Sequence, residues 1–498
     1  MNVVELLVAS SARLPNHVAF VTNDEKITYS QLQENVWDAA SKLSSVGIKE
    51  NMNVALMVSN RIVYIYSYFA LLALGSTVVP INPLFKEREL LYILNDAEVE
   101  AIIFDGVSSE TVLAARKNGS SLKTEICIDD SNKDGLINWK SIEANDLKVD
   151  HSKSCAVSHV AQIIYTSGTT GNPKGAMISH YNLVWMAITC GGINTITSED
   201  RVLCTLPLFH AYAIVQSILS PIAQGATIYL KERFQVEQVL QTIDNENITV
   251  FFGVPTMYSM IIHSPEVKNY SYNSLRNCAS GGASLPVEHI EKLIQIFGIE
   301  IIEGYGQTES TVGISYNPLN GIKKVGSVGL PIPGISIKVL DTNDNEVSKE
   351  EVGEIIFTGP NVMQGYYNKQ EETAKTIKNG WVYTGDLGYI DQDGYLYIKD
   401  RKKEMIIKGG YNVYPREIEE VLYQHPDMVE CAVVGIPDEK FGEVVHAYVV
   451  TRNITDEEEL KKYCKEQLVH YKVPEKFIFV EELPKNASGK ILKRSLIG

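Results

Sequence analysis

The stretch Tyr165-Thr166-Ser167-Gly168-Thr169-Thr170-Gly171-Asn172-Pro173-Lys174-Gly175 gathers three glycines, four Ser/Thr hydroxyls and a lysine into eleven residues. Glycines let backbone N–H groups come close to an anion, hydroxyls add hydrogen bonds, and a lysine adds a full charge. The guest these groups suit is a polyphosphate. The apolar run Ala161 to Tyr165 before it and Ala176 to Ile178 after it read as strands, so the stretch is expected to be a loop between strands rather than a linker. A Walker-type loop requires Gly-Lys followed by Ser or Thr at the start of a helix. Here Pro173 precedes Lys174 and Gly175 follows it, which implies a different phosphate-binding geometry.

Such a loop needs a frame, and the flanking sequence supplies an α/β one. Strands are expected at Val18 to Val21, Ile27-Thr28, Val54 to Val58, Thr77 to Pro80 and Val99 to Phe104. Between them, helices are expected from Ser30, with Gln33 completing a capping box, and at Ile62 to Ala73 and Glu87 to Leu94. The residues from Gly106 to Ser154 read as a polar, irregular stretch. Beyond the phosphate loop, Ser179 should cap a helix, and further strands are expected at Val202 to Leu206, Ala226 to Leu230 and Thr249 to Val254. Others should end at Ser280-Gly281-Gly282-Ala283 and Glu303-Gly304-Tyr305-Gly306. This alternation predicts largely parallel sheets whose ligands sit outside the strand carboxyl ends. From about residue 326 the pattern changes to short β segments with Asn379-Gly380 and Asp393-Gly394 turns. The hydrophilic run Lys399 to Glu404 then leads into a small α+β module.

The fold class is therefore α/β: a large N-terminal domain of stacked α/β sheets over residues 1–400, β-rich over about 326–400, and a small mobile α+β domain over 404–498. A length of 498 residues suits that division. With 45 Lys and Arg against 61 Asp and Glu, the formal net charge of −16 argues against nucleic acid or an anionic membrane as the main partner. Cys127, Cys155, Cys190, Cys204, Cys278, Cys431 and Cys464 are scattered without a Cys-x-x-Cys pair. That distribution suits packing roles in a reducing cytosol and no structural zinc. Met1 to Leu7 carries no basic leader. The apolar run Ile62 to Ile81 is broken by Gly75 and Pro80, which suits a buried helix and strand rather than a transmembrane segment. A cytoplasmic location is expected.

Five motifs occur in a fixed order: the phosphate loop, Tyr305-Gly306-Gln307-Thr308-Glu309, Tyr383-Thr384-Gly385-Asp386-Leu387-Gly388, Asp400-Arg401-Lys402-Lys403-Glu404, and Gly489-Lys490 near the end. Over essentially its whole length the chain resembles the adenylate-forming superfamily of acyl-CoA synthetases, nonribosomal adenylation domains and firefly luciferase. The resemblance implies activation of a carboxylic acid by MgATP to an acyl-adenylate, followed by transfer to a thiol, commonly that of CoA. ATP, Mg²⁺ and coenzyme A are thus the implied cofactors.

By the same resemblance, Lys490 contacts the carboxylate and phosphate oxygens. Thr166, Ser167, Gly168, Thr169, Thr170, Gly171 and Lys174 hold the β- and γ-phosphates, Thr308 bonds the α-phosphate, and Glu309 helps hold Mg²⁺. Gly281, Gly282, Ala283 and the Glu303-Gly304-Tyr305-Gly306-Gln307 strand end surround the adenine, with Tyr305 on its face. Asp386 accepts from the ribose hydroxyls and Arg401 reinforces that contact. Lys403 marks the hinge, about which the small domain rotates so that Gly409 and Gly410 border the thiol tunnel.

His210, Tyr212, Gly304, Val312 and Gly313 are implied to line the acyl pocket, although His210 also suits a structural role. Amino-acid-activating relatives have an aspartate near His210 where this chain has Phe209-His210, which speaks against an α-amino acid. Gly304 and Gly313 permit a deep apolar tunnel and favour a fatty or aryl acid. Alternatives are transfer to a carrier-protein phosphopantetheine, a nucleotide-binding regulator without chemistry, and a luciferase-like oxygenase. The oligomeric state stays open between monomer and homodimer.

Overall fold

A computed structural model describes residues 1–129, 135–145, 156–166, 173–453, 456–486 and 489–497. Among these residues the strands form four sheets. In the first, the spatial order is Ile137–Asn138, Thr124–Cys127, Ala101–Phe104, Asn53–Met57, Thr77–Pro80, Val160–Thr166 and Lys174–Ser179. Every neighbouring pair is parallel except the last. The second runs Leu330–Pro331, Ser315–Tyr316, Ile301–Tyr305, Asn277–Ser280, Val250–Gly253, Arg201–Cys204, Thr227–Leu230, Val18–Val21 and Lys26–Thr28. It is parallel in the middle and antiparallel at both edges.

The two-residue alternation of strand side chains sorts these sheets into a shared core and two outer ones. Val54 and Leu56 of the first sheet and Val202, Cys204, Val250 and Phe252 of the second pack into one cluster. It also takes in helices Val3–Arg13, Tyr29–Ser45, Ile62–Ala73 and His180–Ile193. Ala55 and Met57 face a second cluster outside the first sheet, while Leu203 and Phe251 face a third outside the second. Helix Ile62–Ala73 lies between the sheets and buries eight of its twelve residues, which is why it is apolar nearly all round. None of the helices among the described residues is long and apolar enough to cross a membrane.

A third, antiparallel sheet holds Ser336–Leu340, Gly353–Thr358, Ile377–Lys378, Trp381–Ile390 and Leu396–Arg401. After a turn at residues 402–404 comes the fourth, with Ile406–Lys408, Tyr411–Val413, Met428–Asp438, Gly442–Thr451 and Lys476–Phe479. Helices Pro415–Tyr423 and Glu457–Gln467 cover it through Ile418, Leu422, Leu460 and Cys464, giving it a small core of its own. The fold is thus α/β with an antiparallel portion and a small α+β unit, as expected.

Two expectations need correction. The helix assigned to start at Ser30 begins at Tyr29, and its capping box is Thr28 with Gln31 rather than Ser30 with Gln33. Both pairs have the same spacing, but Ile27 must stay in the strand ladder opposite Phe20, so the chain turns directly after Thr28. The stretch read as irregular from Gly106 contains helix Ser109–Lys117 and strand Thr124–Cys127, whose Val112, Ala115, Ile126 and Cys127 are buried. The opening residues form helix Val3–Arg13, with Asn2 and Glu5 making a capping box. Of the cysteines, Cys155 lies outside the described residues, and the other six are buried free thiols.

Candidate active site

Strands Val160–Thr166, Asn277–Ser280 and Ile301–Tyr305 end on the same side of their sheets as the motifs predicted to bind nucleotide, and the third sheet brings Asp386 to them. Ser167, Gly168, Thr169, Thr170 and Gly171 lie outside the described residues. Their flanks, Thr166 and Lys174, pair across an antiparallel hairpin, so the phosphate loop does join two strands. The Lys174 ammonium pairs with Glu372 Oε2 at 2.8 Å and stands 4.8 Å from the centroid of the Tyr366 ring. The Tyr366 hydroxyl in turn donates to Glu309 Oε1 at 2.6 Å. Lys174 and Glu309, far apart in sequence, thus meet through one tyrosine.

The Gly306-to-Gly313 turn that carries Thr308 and Glu309 is tight. The Gln307 N–H donates to Ser310 Oγ at 2.9 Å, Thr308–Ser310 is a single 3₁₀ turn, and Thr311 and Val312 have φ of 51° and 110°. A β-carbon on Gly306 would stand 1.8 Å from the Val312 carbonyl oxygen, so only glycine fits there.

Asp386 is buried, accepts two hydrogen bonds and pairs with an arginine. Tyr305 Oη and Gln307 Nε2 reach its Oδ2 at 2.6 and 2.7 Å, and Arg401 Nε lies 3.4 Å from its Oδ1. Asp386 and Arg401 are direct partners in the strand ladder, which puts both side chains on one face. Gly281, Gly282 and Ala283 follow strand Asn277–Ser280, with Gly282 at φ 82° and the Gly281 N–H bonded to the Gly253 carbonyl. Glu303 is turned elsewhere. It accepts from the Leu285 N–H at 3.2 Å, and burial raises its pKa to about 7 against the pull of Arg416 in the small unit.

Lys490 reaches this site from the end of the chain. Asn486 and Lys490 bond to each other, the Lys490 N–H to Asn486 Oδ1 and the Asn486 N–H to the Lys490 carbonyl, both at 2.9 Å. This tight loop sets Gly489 against Thr256 of the large unit. Burial and the neighbouring Arg401 charge bring the Lys490 ammonium down to a pKa of about 8, while Glu404 and Asp386 oppose that shift. A lysine whose pKa is depressed by burial and by Arg401 is stabilised in its charged form by an anion brought beside it.

The small unit is moored by Glu420, whose Oε2 accepts the Val287 N–H at 3.2 Å, by the Arg416 N–H on Asp400 Oδ2 at 3.0 Å, and by edge contact of His289 with Tyr423. Lys403 sits in the exposed turn between the third and fourth sheets. Gly409 and Gly410 have φ of 58° and 86° and form the tip of the Ile406–Val413 hairpin, a mirror-image turn that glycine pairs favour. They belong to the small unit.

His210 and Tyr212 open the helical segment that continues as a π-helix, Ala213–Leu219. Burial lowers the His210 pKa to about 4, so the ring is neutral near pH 7. Tyr212 lies over Gly281, linking the segment to the expected adenine strand end. Sequence reasoning missed Tyr366 and Glu372, which approach Lys174 from outside any of the five motifs. No spacing rule marks them.

The family model for the AMP-binding enzyme matches residues 7–367, and that for the AMP-binding enzyme C-terminal domain matches residues 417–490. The chain is 36% identical to a long-chain-fatty-acid–CoA ligase of Bacillus subtilis, covering 99% of this chain and 93% of the relative. It is 35% identical to a feruloyl-CoA synthase of Amycolatopsis, covering 97% and 96%. Among solved structures, the anthranilate CoA ligase AuaEII in complex with anthranoyl-AMP superposes with a TM-score of 0.94 at 27% identity, covering 100% of this chain and 96% of that one. ATP-bound MatB from Rhodopseudomonas palustris superposes with a TM-score of 0.90 at 30% identity, covering 100% and 98%. Motif order, fold and site geometry converge with these likenesses, and the chain belongs to the AMP-binding enzyme family.

Proposed function

We propose that this protein is an acid–thiol ligase that activates a fatty or aryl carboxylic acid with ATP and passes it to CoA. In the first step a carboxylate oxygen bonds to the α-phosphorus, and the bond from that phosphorus to the bridging oxygen breaks. Pyrophosphate leaves with the electron pair. Two anions must meet, so positive charge has to appear where they touch. The observation that carries the reading is the place of Lys490: Gly489 beside it lies against Thr256 of the large unit, and its ammonium, whose pKa is lowered by burial and by Arg401, would be stabilised by an incoming carboxylate and α-phosphate.

The resemblance to adenylate-forming enzymes supports the other roles. Thr166, Lys174 and the loop between them take the β- and γ-phosphates, Thr308 takes the α-phosphate, and Asp386 with Arg401 takes the ribose. Gly281, Gly282, Ala283 and the Tyr305 ring flank the adenine. Among the described residues, no three His, Cys, Asp or Glu side chains gather into a metal cage. That suits Mg²⁺, which is commonly held by one or two carboxylates together with substrate phosphates. Glu309 would hold it and keep Oε2 for the purpose while Tyr366 occupies Oε1. When bound, the ion would spread the charge of the departing pyrophosphate.

In the second step the CoA sulfur bonds to the acyl carbon, the carbon–oxygen bond to AMP breaks, and the thiol proton leaves to solvent. Lys490 must then withdraw. The division into residues 1–400 and 404–498, with Lys403 as the hinge, lets the small domain rotate and bring Gly409 and Gly410 to the thiol path.

Incubation of the protein with a carboxylic acid, ATP, Mg²⁺ and CoA tests the reading. AMP, pyrophosphate and an acyl-CoA should form in equal amounts. ADP with phosphate would refute it, and an acyl-adenylate discharged only by a phosphopantetheinylated carrier protein would reassign the acceptor.

A further inference from the structure

Gly304 and Gly313 of the expected acyl channel, and Gly281 of the expected adenine strand end, are each met by a neighbouring side chain. A β-carbon on Gly281 would stand 3.1 Å from Tyr212 Cζ, and one on Gly313 would stand 2.7 Å from Ile332 Cδ1 and 3.4 Å from Met186 Sδ. On Gly304 it would stand 2.6 Å from Tyr316 Cδ2 and 3.1 Å from Cε2. The space beside Gly304 and Gly313 is therefore filled by neighbouring side chains rather than left as a tunnel.

Of these fillers, Tyr316 is fixed at both ends. Its backbone pairs with Gly304 in the strand ladder, and its neighbour Ser315 pairs with Pro331 on the other side. Its hydroxyl donates to Asn194 Oδ1 at 2.6 Å, an oxygen that also accepts from Asn277 Nδ2 at 2.8 Å. Asn194 Nδ2 in turn donates to the Cys190 carbonyl at 2.9 Å and to Gln216 Oε1 at 3.1 Å. Asn194, Asn277 and Gln216 are buried, so swinging the Tyr316 ring aside would take a donor from a buried hydrogen-bond network. A flexible aliphatic side chain would yield to a long acyl tail. This ring does not.

We propose that Tyr316 closes the far end of the acyl site, so that the acid accepted is a compact aryl or short-chain carboxylic acid and not a long-chain fatty acid. The inference rests on the ligase reading above, with Tyr316 as the residue that sets acyl length.

The test is acid-dependent exchange of labelled pyrophosphate into ATP, comparing kcat/KM for benzoate, cinnamate and hexanoate with that for hexadecanoate. The best compact acid should exceed hexadecanoate by more than about tenfold, since even one methylene without room costs about that much. Tyr316→Ala should narrow the gap by more than about tenfold. Tyr316→Phe, which keeps the ring but drops the hydrogen bond that holds it, should narrow the gap less than Tyr316→Ala does, a graded response in acyl selectivity that a purely structural role for the network would not give. Wild-type turnover of hexadecanoate equal to that of the compact acids would overturn the proposal while leaving the ligase reading standing, because the exchange would still depend on an acid. A folded Tyr316→Ala protein that exchanges with a compact acid and keeps the wild-type ratio would overturn it as well.

Discussion

The Tyr305 hydroxyl donates to Asp386 Oδ2 at 2.6 Å, tying the end of a parallel strand to an antiparallel sheet eighty-one residues further along the chain. Gln307 Nε2 donates to the same oxygen at 2.7 Å, so the orientation of the carboxylate is set before a nucleotide arrives. The other oxygen, Oδ1, faces Arg401. Preorganisation of this kind lowers the ordering cost of binding.

Asp386→Ala should raise KM for ATP by roughly ten- to a hundredfold, the range expected for losing hydrogen bonds to a charged group. Tyr305→Phe leaves Gln307 and Arg401 in place and should cost less, about tenfold or below. Steady-state pyrophosphate exchange at varied ATP measures both.

Lys490 predicts a pH dependence. Its pKa of about 8 is lowered from the usual lysine value, so the free protein loses the ammonium as pH rises through 8. The charged form is the one that meets two anions, so kcat/KM for ATP in the exchange reaction should fall above about pH 8, this being the parameter that reports the free enzyme. Bound polyphosphate stabilises the ammonium, so the fall in kcat should come at higher pH. Lys490→Arg keeps its charge at all these pH values and should remove the alkaline fall, whatever its absolute rate.

The ion pair between Lys174 and Glu372 is partly exposed on both sides, so by itself it contributes little. In the proposed role of Lys174, ATP would draw the ammonium away from Glu372. Glu372→Gln should therefore lower KM for ATP by about twofold to fivefold, within the range of such a pair. Lys174→Ala should raise it. Parallel isothermal titrations with a nonhydrolysable ATP analogue would detect the opposite signs.

Gly306→Ala brings a methyl group against the Val312 carbonyl, which has no space to retreat in a turn already at positive φ. A stability loss above about 2 kcal/mol is expected, together with loss of exchange activity as Thr308 and Glu309 shift. Urea denaturation followed by fluorescence would show it.

Much of this arrangement was legible in the sequence because it rests on local signals. Strand ends and loops are marked by apolar runs that stop at glycine, as at Ser280-Gly281-Gly282 and Glu303-Gly304-Tyr305. The helix boundaries at Ile62–Ala73 and at the Ser179 cap follow from periodicity and capping chemistry. What escaped depends on register and long-range contact. Thr28 rather than Ser30 caps its helix because the pairing of Ile27 with Phe20 decides where the strand stops. Gly304 and Gly313, read as opening a tunnel, are filled by Tyr316 and by Ile332 with Met186, side chains that no local spacing brings to them. Glu372 reaches Lys174 across nearly two hundred residues for the same reason.

The claim most exposed to a direct test is that Lys490 serves adenylation and not thioester formation. With an acid that supports turnover, Lys490→Ala should abolish pyrophosphate exchange yet convert a supplied acyl-adenylate and CoA to the thioester at close to the wild-type rate. Equal loss in both half-reactions, or undiminished exchange, would contradict the account.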